Sequence, residues 1–259
     1  MPERQEQTAA GADLLLDVGN TSLRWALLQD GRLGEVRSVR HHGGLPIDLH
    51  AAWDLIAPPQ RIFVANVAGE PMLAALRRVC ETRWGRRPST ILTEARAFGV
   101  SNAYAEPAYL GVDRWLALLA AHRHFPGDKL IVDAGTAITF DLLEASGQHL
   151  GGLILPGIEA MRDRLLGGTH IPRVEPTDIV GVPWAADTAT AIGAGTLQAP
   201  TALAERLYRQ LRERPGAATA CQLLLTGGDA QRLRPILPSV TQMVPELVLQ
   251  GLALRAERD

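Results

Sequence analysis

The sequence has little net charge, only two cysteines and no long apolar run, and each of these absences excludes a class of protein. Lysine and arginine number 26 against 28 acidic residues, which gives a net charge of −2. This balance provides no basic field for nucleic acid and no polybasic segment for a membrane surface. No apolar run approaches the roughly 20 residues that span a bilayer. We therefore expect a soluble protein that binds neither nucleic acid nor membrane.

The cysteines and histidines show no spacing that is typical of a metal site. Cys80 and Cys221 are far apart in the chain, which predicts two ordinary thiols in a reducing compartment, the cytoplasm. The seven histidines are scattered, and His41-His42 precede two glycines in a predicted loop, so no histidine is assigned to a metal. Residues 1–12 are polar and lack the apolar core of a signal peptide, which predicts a disordered lead-in.

Two apolar runs near the start of the chain flank a short polar turn. Leu14–Leu16 and Trp25–Leu28 are typical of a buried hairpin. Between them, Gly19 lets the backbone approach a ligand, and successive amides and hydroxyls form an anion-binding concavity. An aspartate beside a phosphate needs a cation between them, so we interpret the turn as a nucleotide-phosphate hairpin with Asp17 facing Mg²⁺ directly or through water. The alternative is a hairpin whose residues 20–22 only satisfy their own turn.

A second copy of this pattern favours the phosphate interpretation. In Leu130–Leu143 an apolar run again enters an Asp-x-Gly turn and an apolar run leaves it, so that Asp133 matches Asp17 and Gly135 matches Gly19. A repeat at about half the chain length predicts two similar halves. Two phosphate-gripping hairpins are the arrangement of the actin, sugar-kinase and Hsp70 superfamily. The predicted fold is α/β, with two ribonuclease-H-like (actin-like) lobes over 13–114 and 115–259, mixed sheets flanked by helices, and a ligand cleft between the lobes.

A loop rich in glycine and proline leads to a third motif, Gly111-Val112-Asp113-Arg114. Strong helix formers begin at Trp115, so Asp113 and Arg114 are predicted at or just before a helix N-terminus. In one interpretation Asp113 caps the helix and Arg114 lies in solvent. In the other, the helix N-terminus and Arg114 bind a carboxylate while Asp113 points at a hydroxyl that is to be phosphorylated. The two are compatible.

Two motifs in the second half have weaker signals. Asp187 or Thr188 is a natural cap for the helix that follows. Gly227-Gly228 ends a buried strand at Cys221–Thr226, where an adenosine could lie flat against the backbone, although many α/β loops share this pattern.

Taken together, the ordered motifs resemble those of the type III pantothenate kinases over nearly the whole chain. The motifs are Asp17-Val18-Gly19-Asn20-Thr21, Leu110-Gly111-Val112-Asp113-Arg114-Trp115, Asp133-Ala134-Gly135-Thr136-Ala137, Gly152-Leu153-Ile154-Leu155-Pro156-Gly157, Asp187-Thr188 and Leu225-Thr226-Gly227-Gly228-Asp229. The resemblance implies ATP-dependent phosphorylation of pantothenate to 4′-phosphopantothenate, the first step of coenzyme A biosynthesis.

The resemblance also implies a role for each matching residue. The residues implied to bind ATP are Asp17, Val18, Gly19, Asn20, Thr21, Ser22, Leu23, Arg24 and Thr136. Those implied to hold pantothenate are Tyr104, Gly111, Val112, Asp113 and Arg114, with Asp113 as the catalytic proton acceptor. Asp133 resembles the ligand of an activating monovalent cation, K⁺ or NH₄⁺, beside the Mg²⁺ that accompanies ATP. Thr188 resembles the residue that reaches pantothenate from the second subunit of a homodimer with a shared pocket.

One position departs from the usual pattern, because relatives often have lysine where this chain has Arg24. Arginine keeps the positive charge but replaces a point charge with a planar fork.

Two other functions are compatible with the fold. The first is a non-catalytic or accessory regulatory protein, of the kind named as accessory factors of transcriptional regulation. The second is another superfamily enzyme, such as a polyphosphate-type phosphatase or a sugar kinase, which is expected to lack Gly111–Arg114 at a helix start.

Overall fold

The computed structural model describes residues 11–171 and 174–258, so residues 1–10 of the predicted lead-in lie outside the described part. The chain forms two compact units. The first unit contains the chain up to Thr93, Ala108–Ala120 and the chain from Val248 onward, and the second contains Glu94–Pro107 and Ala121–Leu247. Compact units need not coincide with ribonuclease-H-like lobes, and the lobe bounds 13–114 and 115–259 stay a prediction.

Strands and helices alternate along most of the chain. The first half contains β1 (Asp13–Val18), β2 (Ser22–Gln29), β3 (Arg32–Leu33), β4 (Arg37–Arg40), α1 (Ile47–Asp54), β5 (Ile62–Asn66), α2 (Glu70–Trp84), β6 (Ser89–Thr90), β7 (Arg96–Ala97), β8 (Val100–Ser101), a 3₁₀ turn (Pro107–Tyr109) and α3 (Val112–His124). The second half contains β9 (Asp128–Ala134), β10 (Ala137–Leu143), β11 (His149–Pro156), α4 (Ile158–Gly167), α5 (Thr188–Glu213), β12 (Cys221–Thr226), α6 (Ala230–Leu233), β13 (Thr241–Met243) and α7 (Leu247–Arg258).

The first unit is built on a mixed sheet in the order β3-β2-β1-β5-β6, with β4 also paired to β2. Strand β1 is antiparallel to β2 and parallel to β5. Because side chains alternate along a strand, Leu14, Leu16 and Val18 point to one face, where they pack with residues of α1 and α2. On the same face Trp53 of α1 meets Trp25 edge-on, with ring centroids 6.5 Å apart. Asp17 therefore lies on the opposite face of β1.

The second unit repeats this topology. Its sheet has the order β11-β10-β9-β12-β13, with β9 antiparallel to β10 and parallel to β12. Leu130 and Val132 of β9 pack with Ile158 of α4 and with Leu197 and Ala204 of α5. The equivalence of β9 with β1 and of β10 with β2 confirms the prediction of two similar α/β halves with mixed sheets flanked by helices.

One segment differs from what the sequence predicts. The alternation over residues 33–39 predicts a single strand, but β3 and β4 are separate strands that both pair with β2, because the Gly34 N–H turns to the Leu27 carbonyl, 2.8 Å away. Helix α5 is continuous through Pro200. Burial of Leu197, Pro200 and Ala204 against the sheet stabilises the helix despite the missing N–H of proline.

Both cysteines are free thiols that are poor nucleophiles. Burial, together with a smaller effect of the neighbouring Glu81, raises the pKa of Cys80 to about 12. Burial also raises the pKa of Cys221, to about 11. Since the thiolate is the reactive form, neither residue is an activated cysteine. Within the described parts of the chain, no helix is at once long enough and apolar enough to cross a membrane.

Candidate active site

The first Asp-x-Gly turn connects β1 to β2. The ladder pairs Asp17 with Arg24 and Val18 with Leu23, which leaves a four-residue turn over 19–22. The Gly19 N–H closes this turn by donating to the Ser22 carbonyl at 2.9 Å. Directly opposite residues of an antiparallel pair share one face, so the carboxylate and the guanidinium leave the sheet on the same side. The turn thus has an acidic and a basic side chain at its base and exposed residues at its tip.

A residue that sequence reasoning left in a loop fixes this turn. His41 is only 4% exposed, and its Nε2 lies 2.8 Å from the Gly19 carbonyl. Its backbone N–H donates to the Thr21 carbonyl at 2.9 Å. No motif in the sequence marks this residue, because 22 positions separate His41 from Gly19 and only the pairing of β4 with β2 brings them together.

The second Asp-x-Gly turn, between β9 and β10, is one residue shorter. Ala134 pairs with Ile138, and the Gly135 N–H donates to the Ala137 carbonyl at 3.0 Å. Asp133 is half-buried at the end of β9, while Thr136 is exposed at the tip. The two turns therefore occupy equivalent places in the two sheets, although their lengths differ.

Two glycine junctions lie directly on the second turn. The Gly157 N–H, between β11 and α4, donates to the Thr136 carbonyl at 3.0 Å. Gly227 has a φ of +97°, and a Cβ there would lie 2.2 Å from the Ala134 carbonyl oxygen and 2.4 Å from Oδ1 of Asp133. The Asp229 N–H donates to the same Ala134 carbonyl at 2.8 Å. Because Gly227 has no side chain, the Asp133 carboxylate can lie directly beside it.

The Asp133 carboxylate and the Ala134 carbonyl provide oxygen atoms at this turn, and oxygen ligands are the ones that hard cations prefer. Asp17, 9% exposed at the base of the first turn, is likewise a carboxylate of the kind that binds Mg²⁺ together with substrate phosphates. The residues present therefore fit both predicted cations.

Helix α3 begins earlier than the sequence predicts. The Gly111 carbonyl accepts from the Trp115 N–H at 3.0 Å, so the helix starts at Val112 and Asp113 lies inside its first turn. Oδ1 of Asp113 accepts from the Arg114 N–H at 2.8 Å, and it lies 2.5 Å from where a Cβ of Gly111 would be. The interpretation that placed Arg114 in solvent is wrong, because this residue is only 7% exposed. Asp113 still satisfies an N-terminal amide of the helix, as a cap residue would.

Tyr104 lies against a buried histidine that contacts a buried aspartate. Its ring stacks on that of His149, with centroids 6.3 Å apart and planes 10° from parallel. His149 is fully buried, with Nε2 3.0 Å from Oδ1 of the buried Asp141 and Nδ1 3.4 Å from the Ala103 N. The pair holds the backbone next to Tyr104 in place. Sequence reasoning missed both members, since strand alternation alone gives no sign of a polar pair inside the sheet.

Thr188 is the first residue of α5 and is exposed. Asp187 caps this helix by accepting from the Thr190 N–H at 2.9 Å, and this bond lowers the pKa of Asp187. An open groove of about 630 Å³ passes Thr188 and is lined mainly by apolar side chains, among them Leu165 and Ile192. The predicted cap at Asp187 or Thr188 is confirmed for Asp187.

A charged cluster anchors the segment that precedes α5. Asp178 accepts from Nη2 of Arg162 at 2.8 Å, and its two oxygens accept from Nε and Nη2 of Arg232 at 2.5 and 2.8 Å. The bonds from Arg232 lower the pKa of Asp178 to about 2. Arg162 is buried and also donates from Nε to the Thr196 hydroxyl at 3.0 Å, so the cluster ties this segment to α5. No motif in the sequence predicts this cluster.

With this geometry in view, comparison with known proteins identifies the family. A model of type III pantothenate kinases matches residues 13–210. The chain belongs to the type III pantothenate kinase family. Relatives of that name include one from Nitrosococcus oceani, 37% identical with 93% of this chain and 92% of the relative covered. Another, from Azoarcus sp., is 40% identical with 95% and 91% covered.

Solved structures of other proteins have a fold similar to that of this kinase family member. A conserved Baf family protein from Campylobacter jejuni superposes with a TM-score of 0.59 at 23% identity, covering 95% of this chain and 98% of the other. The activator of 2-hydroxyisocaproyl-CoA dehydratase from Clostridium difficile, with bound ADPNP, gives a TM-score of 0.50 at 13% identity, with 95% and 94% covered. At these identities the likeness concerns the fold alone, and it confirms the actin-like α/β prediction.

The predicted site residues are distributed over both units. The first unit contains the Asp17–Arg24 turn and the start of α3 with Gly111–Arg114. The second contains Tyr104, Asp133 and Thr136, together with Thr188. A kinase of this family uses ATP, which binds enzymes as its Mg²⁺ complex. The individual roles of these residues, and the ligand cleft between the lobes, stay predictions.

Proposed function

We propose that this protein transfers the γ-phosphoryl group of ATP to the 4′-hydroxyl of pantothenate and forms 4′-phosphopantothenate. The family match over residues 13–210 is the observation that supports the proposal most directly. Asp113, held in the first turn of α3 by its bond to the Arg114 N–H, supplies the carboxylate that such a transfer needs near its acceptor. Coenzyme A biosynthesis is the pathway that consumes the product.

On the nucleotide side, Asp17 and the turn of residues 18–24 bind the ATP phosphates. Phosphoryl transfer has a loose transition state with charge spread over the phosphoryl oxygens, so catalysis depends on positioning and charge neutralisation. Arg24, opposite Asp17 on the same sheet face, contributes a permanent positive charge. Mg²⁺ held near Asp17 would supply further charge neutralisation when bound. Thr136 contacts ATP from the second turn.

On the acceptor side, Asp113 orients the hydroxyl of pantothenate and accepts its proton late in the transfer. In a loose transition state the alcohol is still largely protonated, so a carboxylate of ordinary basicity suffices. Gly111, Val112 and Arg114 bind the substrate together with Asp113, and the guanidinium together with the N-terminus of α3 favours the pantothenate carboxylate. Tyr104, stacked on His149, forms a further wall.

Two finer points extend the proposal. Asp133, whose carboxylate lies beside Gly227, binds a monovalent cation, K⁺ or NH₄⁺. The protein acts as a homodimer in which Thr188 reaches the pantothenate of the other subunit, and the apolar groove beside Thr188 supports an interface there. We place the reaction in the cytoplasm, where ATP is supplied and free thiols such as Cys80 persist.

A coupled assay tests the proposal. Purified protein is given MgATP with and without pantothenate, in buffers that contain either K⁺ or only Na⁺, while ADP release is followed. We expect turnover only with pantothenate, and stimulation by K⁺. ATP hydrolysis at the same rate with and without pantothenate would support a phosphatase. Nucleotide binding without turnover would support an accessory regulatory protein. Size-exclusion chromatography with light scattering measures the oligomeric state separately.

A further inference from the structure

The side chain and backbone of His41 together hold two carbonyl groups of the first phosphate turn. Nε2 lies 2.8 Å from the Gly19 carbonyl oxygen, and the backbone N–H donates to the Thr21 carbonyl at 2.9 Å. The side chain is 4% exposed, so solvent does not compete for these bonds. Its neighbour His42, by contrast, is exposed.

The hydrogen bonds of the ring fix its protonation. The Gly43 N–H donates to Nδ1 at 3.3 Å, so Nδ1 is the acceptor and the ring proton resides on Nε2. Nε2–H therefore donates to the Gly19 carbonyl. A ring held in this way at both nitrogens has one orientation, and it fixes the direction of the Gly19 carbonyl.

The direction of that carbonyl determines where the next amide points. In a trans peptide the C=O of one residue and the N–H of the next lie in the same plane and point in opposite directions. With the Gly19 carbonyl turned to His41, the Asn20 N–H points away from it, at the exposed tip of the turn. Outward backbone N–H groups in a turn of this kind form an anion-binding concavity.

Both turns receive main-chain hydrogen bonds at equivalent carbonyls. At the second turn, backbone N–H groups of Gly157 and Asp229 donate to the carbonyls of Thr136 and Ala134. At the first turn, the backbone N–H of Val67 donates to the Val18 carbonyl at 2.9 Å, beside the bond from the His41 N–H. A substitution of the His41 side chain therefore removes the bond to the Gly19 carbonyl and leaves these main-chain bonds in place.

We propose that His41 is a positioning residue that orients the Gly19–Asn20 peptide so that its N–H faces the ATP phosphates. This inference rests on the proposed role of the first turn in ATP binding. It predicts that loss of the Nε2 donor weakens nucleotide binding and leaves the pantothenate side unaffected.

The experiment compares four variants of the full-length protein. His41→Leu removes the hydrogen bonds of both ring nitrogens. His41→Asn keeps a polar group near the Nδ1 position, but this group does not reach Gly19. His41→Gln places an amide N–H near the Nε2 position. His42→Leu is the matched control on the exposed neighbour. Affinity for a non-hydrolysable ATP analogue with Mg²⁺ is measured by calorimetry, and KM values for ATP and pantothenate by the coupled assay.

We expect His41→Leu and His41→Asn to weaken analogue binding and raise the KM for ATP by about tenfold, the effect of losing one buried hydrogen bond, with the KM for pantothenate unchanged. His41→Gln should recover most of the affinity, and His42→Leu should match the wild type. If His41→Leu does not fold, the contrast between His41→Asn and His41→Gln decides. Equal affinity of these two variants would overturn the inference, as would a parallel rise of both KM values. A wild type that binds the analogue but does not phosphorylate pantothenate would refute the proposed function alone, because the binding comparison would still test His41.

Discussion

Replacing Gly227 by alanine probes the contact between the glycine turn after β12 and the Asp133 carboxylate. The residue has a φ of +97°, where an L side chain costs about 1–2 kcal/mol. The new Cβ would also lie 2.2 Å from the Ala134 carbonyl oxygen and 2.4 Å from Oδ1 of Asp133, so one of these groups must shift. Overpacking of this kind costs about 1–3 kcal/mol more.

The matched control is Gly216→Ala. Gly216 has a similar φ of +77°, but no heavy atom lies within 4 Å of its Cβ position. It therefore shares the conformational cost and lacks the steric one. We expect Gly216→Ala to lower the free energy of unfolding by about 1 kcal/mol with unchanged turnover, and Gly227→Ala to lower it by about 2–5 kcal/mol.

Urea denaturation followed by tryptophan fluorescence measures the unfolding free energies, and the coupled assay measures kcat and K⁺ activation. Because the alanine Cβ displaces the Asp133 carboxylate, Gly227→Ala should also lose K⁺ activation. If the two alanine variants are equally stable and equally activated by K⁺, the close contact at Gly227 has no consequence and the assignment of the cation to Asp133 is refuted.

Three further predictions concern other sites. Asp113→Asn should retain the bond to the Arg114 N–H, and hence the fold, while kcat falls by about 10²–10⁴-fold at unchanged KM for ATP; a kcat near that of the wild type would contradict the proton-acceptor role. Arg232 lowers the pKa of Asp178 to about 2 from an ordinary 3.8. The ionised Asp178 carboxylate should therefore contribute fully to the free energy of unfolding above about pH 4, and this contribution should be lost as the pH falls through 2. Acid unfolding curves of Asp178→Asn should therefore be flatter than wild type in this interval, and superimposable curves would refute the linkage. Cys80, with a pKa raised to about 12 by burial, should react with a thiol reagent at pH 8 only after denaturation, and rapid labelling of the native protein would contradict its burial.

The strongest sequence signals were local. Asp17-x-Gly19 and Asp133-x-Gly135 each lie between apolar runs, and such runs predict buried strands without any knowledge of the partner strand. Both hairpins are present in the structure. Their repetition correctly predicted two mixed sheets of the same topology.

Contacts between distant segments were not predictable from the same signals. His41 reaches Gly19 only because β4 pairs with β2, and Asp178 meets Arg232 across 54 residues of sequence. The pattern of two histidines before two glycines predicts a loop. It carries no information about which distant residue contacts the His41 side chain. The start of α3 was also misplaced, because Gly111 and Val112 have low helix propensity while the bond from the Trp115 N–H to the Gly111 carbonyl forms regardless.

The internal repeat extends to topology and to the main-chain bonds of the turns, but not to the side chains that contact them. Both turns receive main-chain hydrogen bonds at equivalent carbonyls. The first turn has four residues and is bonded in addition by the His41 side chain, whereas the second has three residues and receives its bonds at two glycine-containing junctions. A main-chain donor survives any substitution that leaves the backbone in place, so the second turn is sensitive at Gly157 and Gly227, where a Cβ would meet carbonyl oxygens at 2.3 and 2.2 Å. The first is sensitive at a polar side chain that no motif contains. Two hairpins with the same Asp-x-Gly pattern are thus sensitive to substitution at different kinds of residue. The contacts that stabilise one turn cannot be predicted from the sequence pattern of the other.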